Sequence, residues 1–367
     1  MAKAKYTKGK DGYFKTRVWD GTYDDVGRKK YVTIRSKKSS KDLENKVNEH
    51  NQKIKNREYV VCNDTSFCEY AEQWEVVYKA SRAGNTRAGY QNVIKKHFAC
   101  LQNVKLSDIT RLHYQTILNN AAGHPATQQK IELTFKQVIK SAIADQLIAP
   151  NVLDIVFRNN EKITYKPKEK RVLTENEKRA MLSADLSDSD RIFVFILYGC
   201  GLRRGEALAL TKNCIDLKKR TLTVTQSVAF EKETPYIKNP KSYNGFRTVP
   251  IPDLIFPAVE KYIKFLQQDK LFHMKDGRWV TKSSYRKMWA RIIRKMQAET
   301  DEPIIGLTAH VFRHNYCTNL CYQIPTISIK HIASLLGDTE KMVIKVYNHM
   351  ILEKEDVGGA LNSALNF

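Results

Sequence analysis

The chain has 367 residues, 42% of them apolar, and its 62 Lys and Arg against 39 Asp and Glu leave a formal net charge of +23. That length and apolar share allow two or three domains with real cores. The charge predicts a polyanionic partner, nucleic acid before membrane, because no long apolar segment or lipidation signal occurs. Seven irregularly spaced cysteines fit a reducing cytoplasm better than a disulfide framework, and no secretory leader is read.

Residues 1–60 are strongly basic, opening with Lys3, Lys5, Lys8 and Lys10. Residues 12–19 and 29–35, parted by an Asp20-Gly21 turn, alternate as two or three short strands, and a helix follows over about 41–56. A small basic β-ribbon, here with Lys15 and Arg17, suits a DNA groove. A solvated sheet without a DNA role is the plainer alternative. From about 65 to 160 the chain reads as helices. The first has a capping candidate at Thr65 to Glu69 and a buried face of Tyr70, Trp74, Val77 and Tyr78. Asn85 to Tyr90 opens a second, Ser107 a third, and residues 126–148 form a longer fourth that ends before Pro150. The basic segment 161–171, with Pro167 and no apolar stripe, reads as a linker. Thr174 and Glu177 form a capping box that opens the next domain.

The chain is organised around residues 310–347. His310 and Arg313 stand at i and i+3, share a helix face and can address one phosphate, the Arg through its planar fork of donors. Tyr347 supplies a hydroxyl able to attack a phosphodiester and store the broken bond as an ester. Upstream, Gly201-Leu202-Arg203 lies between an apolar helix and another helix. Residues 240–250 read as a β-hairpin with an Asn-Gly turn, carrying Lys241. Singly, an H-x-x-R pair or a tyrosine in an apolar run is more often a surface accident or a core residue. The ordered set Arg203, Lys241, His310, Arg313 and Tyr347 is what carries the catalytic reading. His310, His314, Cys317 and Cys321 are metal-competent types, but along one helix they cannot surround zinc, and the cysteines read as core residues.

These boxes resemble the tyrosine recombinases, the integrase family of phages and transposons. They are G-L-R-x-x-E at Gly201 to Glu206, P-K-S with R-T-V-P over residues 240–250, H-x-x-R-H from His310 to His314, L-L-G ending at Gly337, and Y-x-H from Tyr347 to His349. The resemblance implies a multidomain α+β chain. An arm-type DNA-binding domain with a three-stranded sheet and a helix would span 1–60, and an all-α, SAM-like core-binding domain 61–160. A linker at 161–172 would lead to a mostly α catalytic domain with a small β-hairpin at 173–350 and a tail at 351–367 that links protomers. It implies Tyr347 as nucleophile, Arg203 and Arg313 as phosphate donors, Lys241 as general acid and His310 as an assistant. Arg87, Lys95 and Lys96 would contact DNA phosphates. The implied activity is site-specific integration and excision of a phage or transposon through a 3'-phosphotyrosyl intermediate, without metal or nucleotide. Its partners would be double-stranded DNA at core and arm sites, three further copies in a tetramer, and accessory DNA-bending and excisionase proteins, on the bacterial chromosome in the cytoplasm and not at a membrane.

One position departs from the family. Asp338 stands where His or Trp is usual, and an ionised carboxylate repels a phosphate. It is either protonated by that anion, turned to hold an arginine, or the mark of a weaker site, and the second is favoured here. Two other readings remain at this level: a DNA-binding regulator with impaired catalysis, and a single-strand swivelling topoisomerase, against which the basic N-terminal region argues.

Overall fold

Alternation in the first basic segment builds a β-ribbon. The structure, a computed structural model, describes residues 4–23, 28–55, 65–158, 163, 171–239 and 245–354. Strand β1 (Phe14–Tyr23) pairs antiparallel with β2 (Lys29–Ser36), in register from Phe14 with Ser36 to Trp19 with Tyr31, with an irregularity before Tyr23. The segment before β1 joins this sheet through one bridge, Lys8 to Phe14, after a tight turn in which Gly12 takes φ +78°. Period-two geometry sets Lys15, Arg17, Trp19, Tyr31 and Arg35 on one face and Phe14, Val18, Val32 and Ile34 on the other. Helix α1 (Ser40–Lys55) packs against both strands and buries Leu43 and Val47, one turn apart.

The chain divides into two compact units, Met1–Pro167 and Lys168–Phe367. The division falls within the segment read as a linker, most of which lies outside the described residues. The rest of the first unit is helical: α2 (Phe67–Tyr78), α3 (Gly84–His97), α4 (Arg111–Asn119), α5 (Pro125–Ala144) and α6 (Val152–Phe157). Its core is aromatic, with Phe67 stacked on Phe135 at 4.8 Å and Tyr114 edge-on to Phe157 at 4.7 Å. Two expectations are corrected. Val77 and Tyr78 are exposed, because the buried stripe is Phe67, Tyr70, Ala71, Trp74 and Glu75, and the next helical turn projects past its neighbours. Tyr78 instead donates its hydroxyl to Asp145. Around Ser107 there is one 3-10 turn, and the third helix begins at Arg111, capped by Thr110.

In the second unit, α7 (Glu175–Ser183) opens with the expected capping box of Thr174 and Glu177. Arg171 grips Glu177 through both terminal nitrogens at 2.7 Å. After a polar first turn, helix α8 (Asp188–Cys200) is apolar on every side, with Ile192, Phe193, Val194, Phe195, Ile196 and Leu197 all buried. Such a helix belongs inside a core, and each such side chain contributes about 1.5–3 kcal/mol. The short α9 (Arg204–Leu208) follows. Strands β3 (Ile215–Asp216), β4 (Thr221–Val224), β5 (Ser227–Glu231), β6 (Thr234–Lys238) and β7 (Arg247–Pro250) form two small antiparallel sheets, β3-β4-β7 and β5-β6. Of the hairpin expected over residues 240–250, residues 240–244 lie outside the described residues. The described remainder, β7, pairs with β4, and β5 pairs with β6 through a turn that takes Lys232 to φ +55°. The apolar faces of β4 and β7, Leu222 with Val249, bring those two strands together in the core. Helices α10 (Phe256–Phe265), α11 (Lys282–Gln297), α12 (Ala309–Cys321), α13 (Ile329–Leu336) and α14 (Glu340–Lys354) complete the unit. Helix α12 packs on α8, and α14 packs on α12 and α13.

Candidate active site

The site begins where α8 stops. Gly201 caps it in the left-handed region at φ +63°, and a Cβ there would meet the Tyr316 ring at 2.3 Å. Only glycine allows both the turn and the close approach. The reversal delivers Arg203 to the N-cap of α9, where its backbone N–H donates to Glu206 Oε2 at 2.9 Å and its Nη1 to Glu206 Oε1 at 2.9 Å.

A second terminus faces it. Helix α13 ends at Gly337, also left-handed at φ +60°. The last carbonyls of a helix lack partners within it and carry the negative end of its dipole. Here three successive ones each accept from an arginine of another segment. Leu335 O takes Arg247 Nε at 2.7 Å, Leu336 O takes Arg313 Nη2 at 2.6 Å, and Gly337 O takes Arg203 Nη2 at 3.2 Å. Arg313, 5% exposed within α12, also donates Nη1 to Gly201 O at 3.0 Å, which ties the two glycine turns together.

Asp338 follows directly. Its Oδ2 accepts from Arg203 Nη2 at 2.9 Å and from Arg313 Nη2 at 3.1 Å, while Oδ1 accepts from the Thr339 amide at 3.1 Å. The carboxylate thus bridges both arginines. Partial burial pushes its pKa up, but the Thr339 amide and the charges of Arg313 and Arg203 outweigh this and hold it below the usual carboxylate value. Burial likewise raises Glu206, and the hydrogen bond and charge of Arg247, with the donors of Arg203, bring it below its ordinary value. Burial, then the neighbouring Arg203, lowers Arg313 to about 10, which leaves it charged at neutral pH. Three guanidinium groups against two carboxylates leave one net positive charge, so the cluster can hold an anion.

The structure brings Arg203, Arg313 and Asp338 together. His310 lies one turn before Arg313 on α12 and is exposed, and Tyr347 lies half-buried in α14, packed against the same core. Lys241 falls outside the described residues, between β6 and β7. Cys317 and Cys321 are buried in the core, whereas His310 at the start of the same helix is exposed and His314 half-buried. Sequence reasoning did not place Arg247 in this cluster. It is buried, and its Nη2 meets Glu206 Oε2 at 2.8 Å. Its signal was an arginine inside the otherwise apolar and small Arg247-Thr248-Val249-Pro250 strand.

The residues read as DNA contacts fare differently. Arg87 Nε is 2.8 Å from the buried carboxylate of Glu75, which gives it a structural bond. Lys95 and Lys96 are exposed in the last turn of α3, where cations also suit the helix dipole. Lys15 pairs with exposed Asp11 at 3.1 Å, and the Arg17 guanidinium lies 5.7 Å from the Tyr31 ring centroid. Lys29 sits 5.1 Å from the Trp19 ring, so cations and aromatic rings interleave on the ribbon.

Fold and site together define a mostly α domain in which paired arginines frame an anion position beside a helix bearing a tyrosine. The model of the phage integrase family matches residues 171–353, and that of the phage integrase N-terminal SAM-like domain matches residues 66–121, together well over half of the chain. The chain is 28% identical to a putative prophage phiRv2 integrase of Mycobacterium tuberculosis over 54% of its own length and 52% of the relative's, so it spans about half of that protein. It is 24% identical to a XerC-like tyrosine recombinase of Caldanaerobacter subterraneus across 95% of each. Its fold resembles that of a lambda integrase tetramer bound to a Holliday junction, with a TM-score of 0.57 and 17% identity over 93% of each chain. The chain belongs to the phage integrase family, the tyrosine recombinases. Among the described residues no helix is long and apolar enough to cross a membrane.

Proposed function

We propose that the protein is a site-specific DNA recombinase that integrates and excises a mobile element by cutting and rejoining DNA through a 3'-phosphotyrosyl intermediate. The observation that carries this reading is the convergence of Arg203 Nη2 and Arg313 Nη2 on one anionic oxygen. Two fixed guanidinium donors at that spacing suit the non-bridging oxygens of a phosphodiester, where charge grows in the transition state. Tyr347 Oη attacks phosphorus, the new O–P bond replaces the bond to the 5' oxygen, and that oxygen leaves as an alcohol. Lys241 is the proton donor to it, and His310 assists removal of the tyrosine proton or binds the phosphate, roles that rest on the family resemblance. Rejoining reverses these steps with a different 5' hydroxyl, so bond energy is conserved and no nucleotide is consumed.

The partners in this reading are double-stranded DNA at core and arm sites, three further copies of the chain, and accessory bending and excisionase proteins. The tetrameric lambda integrase on a Holliday junction supports the assembly, and the net charge of +23 supports the polyanion. The setting is the bacterial chromosome in the cytoplasm. The domain scheme is an arm-binding ribbon at 1–60, a core-binding domain at 61–160, a catalytic domain at 173–350 and a tail that links protomers. The basic and aromatic face of the ribbon supports the first of these.

The deciding experiment mixes the protein, or its Tyr347→Phe variant, with nicked duplexes drawn from sequence flanking the gene, and looks for complexes that resist denaturation. A complex formed by the wild type and lost in Tyr347→Phe identifies the nucleophile. Tight, specific binding by both with no covalent product would favour a second reading, a DNA-binding regulator of impaired catalysis. The carboxylate of Asp338 in the anion position is the observation behind that alternative.

A further inference from the structure

A carboxylate bound by two arginines can be a strut that holds them or a substitute for what they hold. The hydrogen bonds around Asp338 decide between these. Arg313 is already fixed by Gly201 O and Leu336 O, and Arg203 by Glu206 Oε1 and Gly337 O. Removing Asp338 leaves both guanidinium groups aimed at the same point by their other bonds. What Asp338 takes up is the remaining capacity of two Nη2 groups, the part of each arginine that is not committed to the protein's own frame.

The site is also open to exchange. Side-chain exposure is 30% for Asp338 and 41% for Arg203, against 6% for Arg313. Asp338 is held by its own backbone, whose N–H donates to Ala333 O at 3.0 Å, and by the Thr339 amide on Oδ1, so its Cα stays in place while a turn about one side-chain bond withdraws Oδ2. The carboxylate and a phosphodiester cannot share the two donors, since both are anions and would meet at contact distance.

We infer that Asp338 is an internal stand-in for the scissile phosphate: without DNA its carboxylate fills the anion position between Arg203 and Arg313, and a bound phosphodiester displaces it. The inference rests on the recombinase reading for the identity of the incoming anion. It makes Asp338 a residue that controls access to the arginines and takes no part in the reaction itself. Its consequence is discrimination. Free phosphate and nucleotides must compete with a tethered carboxylate of high effective concentration and lose. A phosphodiester held by many other contacts along a duplex is itself presented at high effective concentration and wins.

The test titrates the full-length protein with orthophosphate, reading heat of binding and thermal midpoint. Asp338→Asn, which keeps the shape and an acceptor for Thr339, is expected to bind orthophosphate at least about tenfold more tightly than wild type. Asp338→Ser provides the same comparison should the amide variant fold poorly. Replacing Arg313 with Gln in the Asp338→Asn background is expected to abolish the gain. On nicked duplex DNA, Asp338→Asn is expected to lower the protein concentration needed for half-maximal covalent complex by a larger factor than it alters the rate at saturation, a split that a merely structural strut would not produce. Orthophosphate affinity equal to or weaker than wild type in both variants overturns the inference. If no variant forms a covalent complex, the recombinase reading falls while the orthophosphate titration still decides the role of Asp338.

Discussion

Arg247 Nη2 and Glu206 Oε2 lie 2.8 Å apart, with side-chain exposures of 3% and 7%. The pair links β7 to α9, and Glu206 passes the constraint on by holding both the backbone and the side chain of Arg203. Breaking a buried pair from one side leaves an uncompensated charge, at a cost of about 3–5 kcal/mol. Arg247→Met is therefore expected to lower the unfolding midpoint of the second unit sharply and to slow cleavage through misplacement of Arg203. Calorimetry beside a cleavage assay checks this, and an unchanged midpoint would mean that Glu206 is satisfied without Arg247.

Glu206 also predicts a pH dependence. A carboxyl whose folded pKa is depressed adds stability above its unfolded value and loses it as pH falls through the folded one. The wild type should exceed Glu206→Gln in stability by a constant margin between about pH 6 and pH 8, and that margin should close below about pH 4 as the carboxyl protonates. Unfolding curves at stepped pH measure the difference directly. A margin that persists undiminished into acid would contradict the depressed pKa.

Arg313→Lys is not conservative. The guanidinium reaches Gly201 O, Leu336 O and Asp338 Oδ2 at once, and a lysine amine cannot span that fork. The expected loss in single-turnover cleavage is about 100- to 1,000-fold, the range seen when one fixed transition-state donor is removed. DNA affinity, which depends on many contacts, should change far less.

Gly201→Ala tests the turn beneath Arg203. A Cβ would sit 2.3 Å from the Tyr316 ring in a backbone at φ +63°, and the left-handed conformation alone costs a non-glycine residue about 1–2 kcal/mol. The variant should be destabilised by more than about 2 kcal/mol and should lose cleavage. Pairing it with Tyr316→Leu should recover part of the stability by relieving the contact.

The ribbon makes a separate claim on salt. Each phosphate contact contributes about 0.9 to the slope of log affinity against log salt on duplex DNA. Replacing Lys15 and Arg17 with Gln should lower that slope by up to about 2 and weaken arm-site binding while leaving cleavage of a core-site duplex intact. A slope equal to that of the wild type would return the ribbon to the plain solvated sheet.

Local signals in the sequence led correctly to much of this. Thr174 with Glu177, Gly201 after an apolar run, and Arg203 at a helix start are rules of caps and turns that act within four residues, and the structure follows them. What the sequence did not disclose is long-range. The 3.6 period continues through Tyr78 and predicts a buried face there, yet its ring is exposed and its hydroxyl reaches Asp145. The Asn-Gly pair predicts a hairpin over residues 240–250, whereas the described part of that stretch, β7, pairs with β4, a partner more than twenty residues upstream. Arg247 was visible as a letter in a strand, but its membership of the site depends on the Leu335 carbonyl and on Glu206, neither of which is near it in sequence.

The end of α13 has a consequence for how the site tolerates change. Leu335, Leu336 and Gly337 present backbone oxygens, so nothing about their side chains is read by the three arginines. Successive carbonyls of a helix are turned by about 100° and stepped by about 1.5 Å. The terminus is in effect a spacing gauge cut in main chain, against which three distant parts of the polypeptide are aligned. Swaps between apolar residues along α13 should pass almost unnoticed by the chemistry. Adding or deleting a single residue between Ile329 and Leu335 would shift every notch at once and disable all three arginines together.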